Sequence, residues 1–126
     1  MPELPEVETT RRGIAPLILG RTVAAVHSRV TKLRRPVPVA ALEALDGQSV
    51  VSVERRAKYL LLRFQTGHII LHLGMTGHLH VVPGDTPPER HDHIDLQFTD
   101  GTCLRFNDSR RFGLFLWTTT DPLHHP

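Results

Sequence analysis

Ile94-Asp95-Leu96-Gln97-Phe98-Thr99-Asp100-Gly101-Thr102-Cys103-Leu104-Arg105-Phe106 carries the clearest structural signal in the chain. Asp-Gly between two short runs rich in apolar residues is a strong hairpin signal, because both residues accept the backbone angles of a tight turn. It predicts strands over 94–99 and 102–106. On its C-terminal side, 114–118 reads as a further strand. Upstream lie strands over 22–30, 50–53, 59–64, 68–73 and 78–82, with a turn at Thr66-Gly67 and a proline-rich loop over 84–89. Before them, 5–19 reads as a helix. Pro5 suits its first turn, Glu6 and Glu8 complement the positive end of its dipole, and Gly20 stops it. Leu4, Val7, Ile14, Leu17 and Ile18 can share its apolar face. Residues 39–45 form a second, short helix. The class is α+β and mainly β: a two-layer antiparallel β-sandwich with an N-terminal helix and a second short helix packed against it.

Composition narrows the function classes. A chain of 126 residues, 40% of them hydrophobic, is long enough for one domain with a real core. No apolar run approaches the roughly 20 residues of a membrane span, and no signal peptide opens the chain, so a cytoplasmic setting and no membrane partner are expected. The single cysteine, Cys103, excludes an internal disulfide and a cysteine-based zinc module within these residues. It reads as a small buried hydrophobe. Net charge is only +2, with a pI of about 9.2. The basic residues are clustered: Arg29, Lys32, Arg34 and Arg35, then Arg55, Arg56 and Lys58, then Arg110 and Arg111. That pattern permits a nucleic-acid partner without requiring one.

The chain opens Met1-Pro2-Glu3-Leu4-Pro5-Glu6. Removal of Met1 would leave Pro2 as a secondary amine. An α-amino group titrates at about 7.7–8.0, so on the order of a tenth is neutral at pH 7, whereas a lysine amine is almost wholly protonated. A secondary amine that attacks a sugar carbon forms an iminium, an electron sink for later bond breaking. With Met1 retained, the Pro2 nitrogen is an amide and no iminium can form. A Met-Pro start alone is also common in proteins with no such chemistry.

Five segments occur in order: Pro2-Glu3-Leu4-Pro5-Glu6-Val7-Glu8, Arg55-Arg56-Ala57-Lys58-Tyr59-Leu60, His72-Leu73-Gly74-Met75-Thr76-Gly77, His91-Asp92-His93 and Asp108-Ser109-Arg110-Arg111-Phe112-Gly113. Together they closely resemble the N-terminal domain of bacterial formamidopyrimidine-DNA glycosylase, also called 8-oxoguanine DNA glycosylase. Any one segment is weak; five in register are specific. The resemblance implies a base-excision repair enzyme that removes oxidised purines (8-oxoguanine, formamidopyrimidines) from double-stranded DNA, then nicks the strand by β,δ-elimination through a Schiff base at Pro2. It implies Glu3 as the acid/base partner, Glu6 as a further active-site carboxylate, and Lys58 as a contact near the reacting nucleotide. Glu6 can equally be a dipole partner, and Lys58 an exposed strand-end lysine.

Met75, Arg110 and Phe112 match a second set. A glycosylase extrudes its target nucleotide, which leaves a hole in the stack and an orphaned base. A flexible apolar side chain, a flat wedge and a fork of donors suit that hole. By the resemblance, Arg110 reads the opposite base and can use the O2 and N3 acceptors of cytosine. His72 and His91 match positions that contact backbone phosphates, where partial protonation would strengthen the bond. His91-Asp92-His93 lacks the further ligands of a metal site, and no metal is assigned to these residues. The family binds one zinc in a C-terminal zinc finger. That finger and the family's helix–two-turn–helix domain are not among these 126 residues. Residues 1–120 are read as the catalytic domain, acting as a monomer, and 121–126 as the start of a linker. A fragment lacking the second domain is expected to bind DNA weakly and turn over little. The family usually carries proline where this chain has Ser109, which relaxes the restraint on that loop.

Three rival readings remain at this level. An endonuclease VIII-type glycosylase acting on oxidised pyrimidines shares the Pro2-Glu3 start. An N-terminal-proline tautomerase explains Pro2 but not Lys58, Met75 or the Arg-Arg-Phe loop. A non-catalytic DNA-binding fragment needs no Pro2 chemistry.

Overall fold

The computed structural model describes residues 4–120, with side chains from Pro5 onward. The element order is α1 (Leu4–Ile18), β1 (Val23–Ser28), α2 (Val39–Glu43), β2 (Ser52–Arg56), β3 (Tyr59–Arg63), β4 (His68–His72), β5 (Gly77–Pro83), β6 (Asp92–Phe98), β7 (Thr102–Asp108) and β8 (Leu114–Thr118). Two four-stranded antiparallel sheets form, in the orders β1-β6-β7-β5 and β2-β3-β4-β8. The mainly β sandwich with two helices therefore matches the expectation from sequence. The Asp100-Gly101 turn joins β6 to β7, with Gly101 at φ +87° and Asp100 Oδ1 accepting from the Thr102 N–H at 3.0 Å and hydroxyl at 2.6 Å.

The core lies between the sheets. Ile94, Leu96, Phe98, Leu104 and Phe106 face Leu60, Leu62, Phe64, Ile69 and Leu71 within one buried cluster. These positions alternate along their strands and so share one face of each sheet, while Leu61, Ile70, Asp95, Cys103 and Arg105 between them are buried as well. Helix α1 packs against β2, β3 and β5, so it spans strands of both sheets, while α2 packs against β1. No helix among the described residues is long and apolar enough to cross a membrane.

Two details differ from the pattern-based reading. The apolar run at 50–53 predicts a strand there, yet β2 starts only at Ser52. Val50 instead exchanges backbone bonds with Gly20 and Arg21, and the ladder with β3 continues through Arg55 and Arg56. The basic run is thus part of a strand. On α1, Val7, Ile14, Ala15 and Ile18 are buried, but Leu17 is 49% exposed. At about 100° per residue the buried positions fall within an arc of about 100° bounded by Ile14 and Ala15, and Leu17 lies about 60° beyond its edge.

Helix α1 runs through both Gly13 and Pro16. A Cβ added at Gly13 meets nothing within 4 Å. Gly13→Ala is therefore expected to stabilise the domain by about 0.5–1 kcal/mol through helix propensity alone. Thermal unfolding should rise by a few degrees; an unchanged or lower midpoint would contradict it.

Candidate nucleic-acid interface

The site grows from the β2–β3 hairpin. Arg56 pairs with Tyr59, so Ala57 and Lys58 form a two-residue turn. Ala57 takes φ +51°, a left-handed conformation uncommon for a residue with a Cβ. The hairpin is tied to α1 through Glu8, which accepts from Arg55 Nε at 3.0 Å, Arg11 Nη2 at 2.7 Å and Arg12 Nε at 2.9 Å. Arg11, then Arg55 and Arg12, hold the Glu8 carboxyl well below the usual carboxylate range. Arg55 Nη1 also donates to the Ala57 carbonyl at 3.1 Å. The first half of α1 is thereby fastened beside the turn that carries Lys58. Glu6 is exposed in the first turn of that helix. Pro2 and Glu3 lie outside the described residues.

Tyr59 leads to His72, its direct partner across β3 and β4, with the rings edge-to-face at 5.0 Å. His72 is buried, and its Nδ1 accepts from the Gly74 N–H at 3.0 Å. Nε2 is then the protonated nitrogen and the available donor. Burial, followed by the positive charges of Arg34 and Lys58, pushes the imidazole pKa down. Partial protonation, expected from sequence to strengthen a phosphate bond, is disfavoured here; the neutral ring with one fixed tautomer is the form the surroundings select.

Gly74 follows at φ +62° and brings the β4–β5 loop against the β7–β8 loop. Met75 and Phe112 project from these two loops and are 48% and 43% exposed, unusual for large apolar side chains. Arg110 joins them. Its guanidinium carbon lies 4.9 Å from the Phe112 ring centroid and its Nη1 lies 3.9 Å from Met75 Sδ. Residues 35 positions apart in sequence are thus assembled into one exposed apolar and cationic unit. The geometry fits a cation held over an aromatic face.

His91 is half-buried with φ +118°, and its carbonyl accepts from the Asp108 N–H at 3.1 Å. Its ring lies 6.2 Å from that of His93, whose Nε2 meets the Asp108 carbonyl oxygen at 2.8 Å. His93 is therefore committed to backbone architecture. No group of three or more His, Cys, Asp or Glu side chains suited to a metal ion occurs among the described residues. The left-handed non-glycine residues Ala57, His91 and Arg111 are, or adjoin, Lys58, His91, Arg110 and Phe112. Such conformations concentrate where a fold must aim side chains.

Asp108 is the residue that motif reading underrated. It is wholly buried, yet its carboxylate touches both loops: Oδ1 accepts from the Thr76 hydroxyl at 2.6 Å and the Arg111 N–H at 3.2 Å, and Oδ2 from the Gly113 N–H at 2.8 Å. An Asp at the first position of a turn is a sequence signal for such bonds; the partnership with Thr76 has none.

Comparison with known proteins places this geometry. Residues 1–115 match the family model described as formamidopyrimidine-DNA glycosylase N-terminal domain. The chain is 60% identical over 126 residues to the formamidopyrimidine-DNA glycosylase of Geobacter sulfurreducens, covering 100% of this chain and 46% of that protein. It is 56% identical over 125 residues to the one from Geotalea uraniireducens, again 46% of the relative and 99% of this chain. Among solved structures, the Lactococcus lactis enzyme in complex with an abasic site containing DNA superposes with a TM-score of 0.88 at 30% identity, covering 97% of this chain and 46% of that one. The chain thus spans about half the length of the relatives it matches. A match over most of its residues, at this identity and with this fold, makes the chain a member of the formamidopyrimidine-DNA glycosylase family of DNA-repair enzymes.

Proposed function

We propose that this chain is the nucleophile-bearing half of a bifunctional glycosylase and lyase that excises oxidised purines from double-stranded DNA. The observation that carries the reading is the assembly of Met75, Arg110 and Phe112 into one exposed unit, with Met75 on the loop that leaves β4 directly after His72, whose ring feels the charge of Lys58. Extruding a nucleotide leaves a gap that needs filling and an orphaned base that needs donors. Phe112 and Met75 supply the filler, and Arg110 supplies the donors. Lys58, Arg34 and the Nε2–H of His72 offer phosphate contacts around the reacting nucleotide.

The chemistry follows from a secondary amine at Pro2. Its lone pair attacks the sugar C1′ while the bond from C1′ to the base nitrogen breaks, and the base leaves with that electron pair and takes up the proton that the amine sheds. Glu3 protonates the ring oxygen as the sugar opens, giving the iminium. That cation makes the neighbouring C2′ proton acidic, so the 3′ phosphate leaves by β-elimination and the 5′ phosphate by δ-elimination. Relatives named for this activity are about twice as long, and one domain alone makes fewer phosphate contacts, so the 126-residue chain should bind DNA weakly and with steep salt dependence.

Borohydride trapping on an abasic-site duplex at low salt, read by intact-protein mass spectrometry, tests the assignment. The chain lacking Met1 is expected to form a covalent adduct mapping to Pro2. An adduct on the chain that retains Met1 would remove Pro2 from the mechanism, because an amide nitrogen cannot form the imine.

A further inference from the structure

The β4–β5 and β7–β8 loops share no covalent restraint, and Ser109 leaves the second without a proline ring. Beyond the close approach at Gly74, hydrogen bonds to Asp108 hold them together. The Thr76 hydroxyl donates to Asp108 Oδ1 at 2.6 Å and accepts from the Arg110 N–H at 3.1 Å. The same carboxylate takes the Arg111 and Gly113 N–H groups, so the residues on either side of Phe112 bond one side chain. Asp108 itself is fixed from behind by the His93 ring on its carbonyl oxygen and by the His91 carbonyl on its N–H.

We infer that Asp108 and Thr76 are positioning residues: they lock the two loops into a single unit, so that Met75, Arg110 and Phe112 enter DNA together and Arg110 meets the orphaned base at a set angle. This inference rests on the DNA reading above. Its physical basis is that a buried carboxylate accepting several N–H and O–H bonds is both strong and directional. It replaces, in this chain, the rigidity that a proline ring would give. A hydroxyl that both donates and accepts cannot be mimicked by the isosteric valine.

The experiment pairs amide exchange of the free chain with binding to a duplex holding a stable tetrahydrofuran abasic analogue opposite cytosine or adenine. In Thr76→Val and Asp108→Asn, exchange at Arg110, Arg111 or Gly113 should accelerate about tenfold or more, the effect of losing a buried bond. Amides of β4 and β7 should stay protected. The preference for cytosine over adenine should shrink through weaker binding of the cytosine duplex, while binding of the adenine duplex changes little, since phosphates dominate it. Thr76→Ser keeps the hydroxyl and should retain both properties. Unchanged exchange in the Val and Asn variants would overturn the lock. Accelerated exchange with the preference intact would overturn its role in aiming Arg110. Accelerated exchange in a protein whose wild type shows no opposite-base preference would support the lock and overturn the DNA reading instead.

Discussion

Asp95→Ala is expected to lower the thermal unfolding midpoint by more than about 10 °C, the largest loss from any single substitution considered. Asp95 is wholly buried on β6, facing the side of the sheet away from the core. Arg105, its cross-strand partner, grips it with Nε at 2.9 Å and Nη2 at 3.1 Å, and Arg29 adds Nη2 at 2.6 Å. Arg105 also donates to the carbonyls of Thr86 and Pro87 at 2.9 and 3.3 Å, which pins the proline-rich loop over the sheet. Removing Asp95 strips the buried Arg105 of its carboxylate hydrogen bonds and leaves only Asp92 Oδ2, 3.9 Å from Nη1, a change that costs about 3–5 kcal/mol. A domain has only about 5–15 kcal/mol in hand. Arg105→Met should cost less, because Arg29 still neutralises Asp95. The paired replacement Asp95→Leu with Arg105→Met should recover much of the loss, since two apolar side chains can substitute for a buried ion pair. A small shift for Asp95→Ala would mean that water solvates the pair.

The same carboxyl gives a pH dependence. Burial would raise the Asp95 pKa, but the bonds from Arg105 and Arg29 outweigh it and hold it below the ordinary 3.8. A depressed folded pKa adds stability that is fully present above the unfolded pKa and is lost as pH falls through the folded one. Asp95 therefore contributes to acid unfolding only below about pH 4. Cys103, next to this cluster, has its thiol pushed up to about 12 by burial and then by the Asp95 charge, so it is inert at neutral pH.

Gly74→Ala is the second large effect. An added Cβ would lie 2.6 Å from the Phe112 carbonyl carbon and 2.7 Å from the Gly113 nitrogen, both backbone atoms. The loops would have to part, and an L-residue at φ +62° adds its own strain. The expected cost is about 2–4 kcal/mol. Gly101→Ala is the internal control, because Gly101 has φ +87° and open space around its would-be Cβ. It should show the backbone strain without the loop displacement. Equal losses at the two glycines would mean that the loops separate freely, and with them the close packing of Met75 against Arg110.

The hairpin 92–108 was legible because Asp100-Gly101 and the flanking periodicity act locally, through backbone angles and the alternation of side chains along a strand. Strands β3, β4 and β8 were legible for the same reason, each within about a residue of the pattern. The start of β2 was not. Val50 satisfies its backbone on the Gly20-Arg21 turn, a contact between segments about 30 residues apart that no local pattern records. Leu17 looked like a core residue and is exposed, since the helix presents a narrower stripe to β2, β3 and β5 than its apolar content suggests.

The candidate site divides along the same line. Pro2, Lys58, Met75, Arg110 and Phe112 are residue types whose chemistry can be argued from the chain alone, and their order marks the family. Asp108, Thr76, His93 and Glu8 also reach across the fold, through Thr76 on Asp108, His93 on the Asp108 carbonyl and Arg55 on Glu8, and those partners are distant in sequence. Composition and order determined the architecture and the kinds of side chain available, because propensity, turn chemistry and burial are read residue by residue. Tertiary structure decided which of them meet: hydrogen bonds such as that of Thr76 on Asp108 depend on two loops arriving at one place, and their ångström-scale reach is set by sheet packing, not by neighbours in the chain.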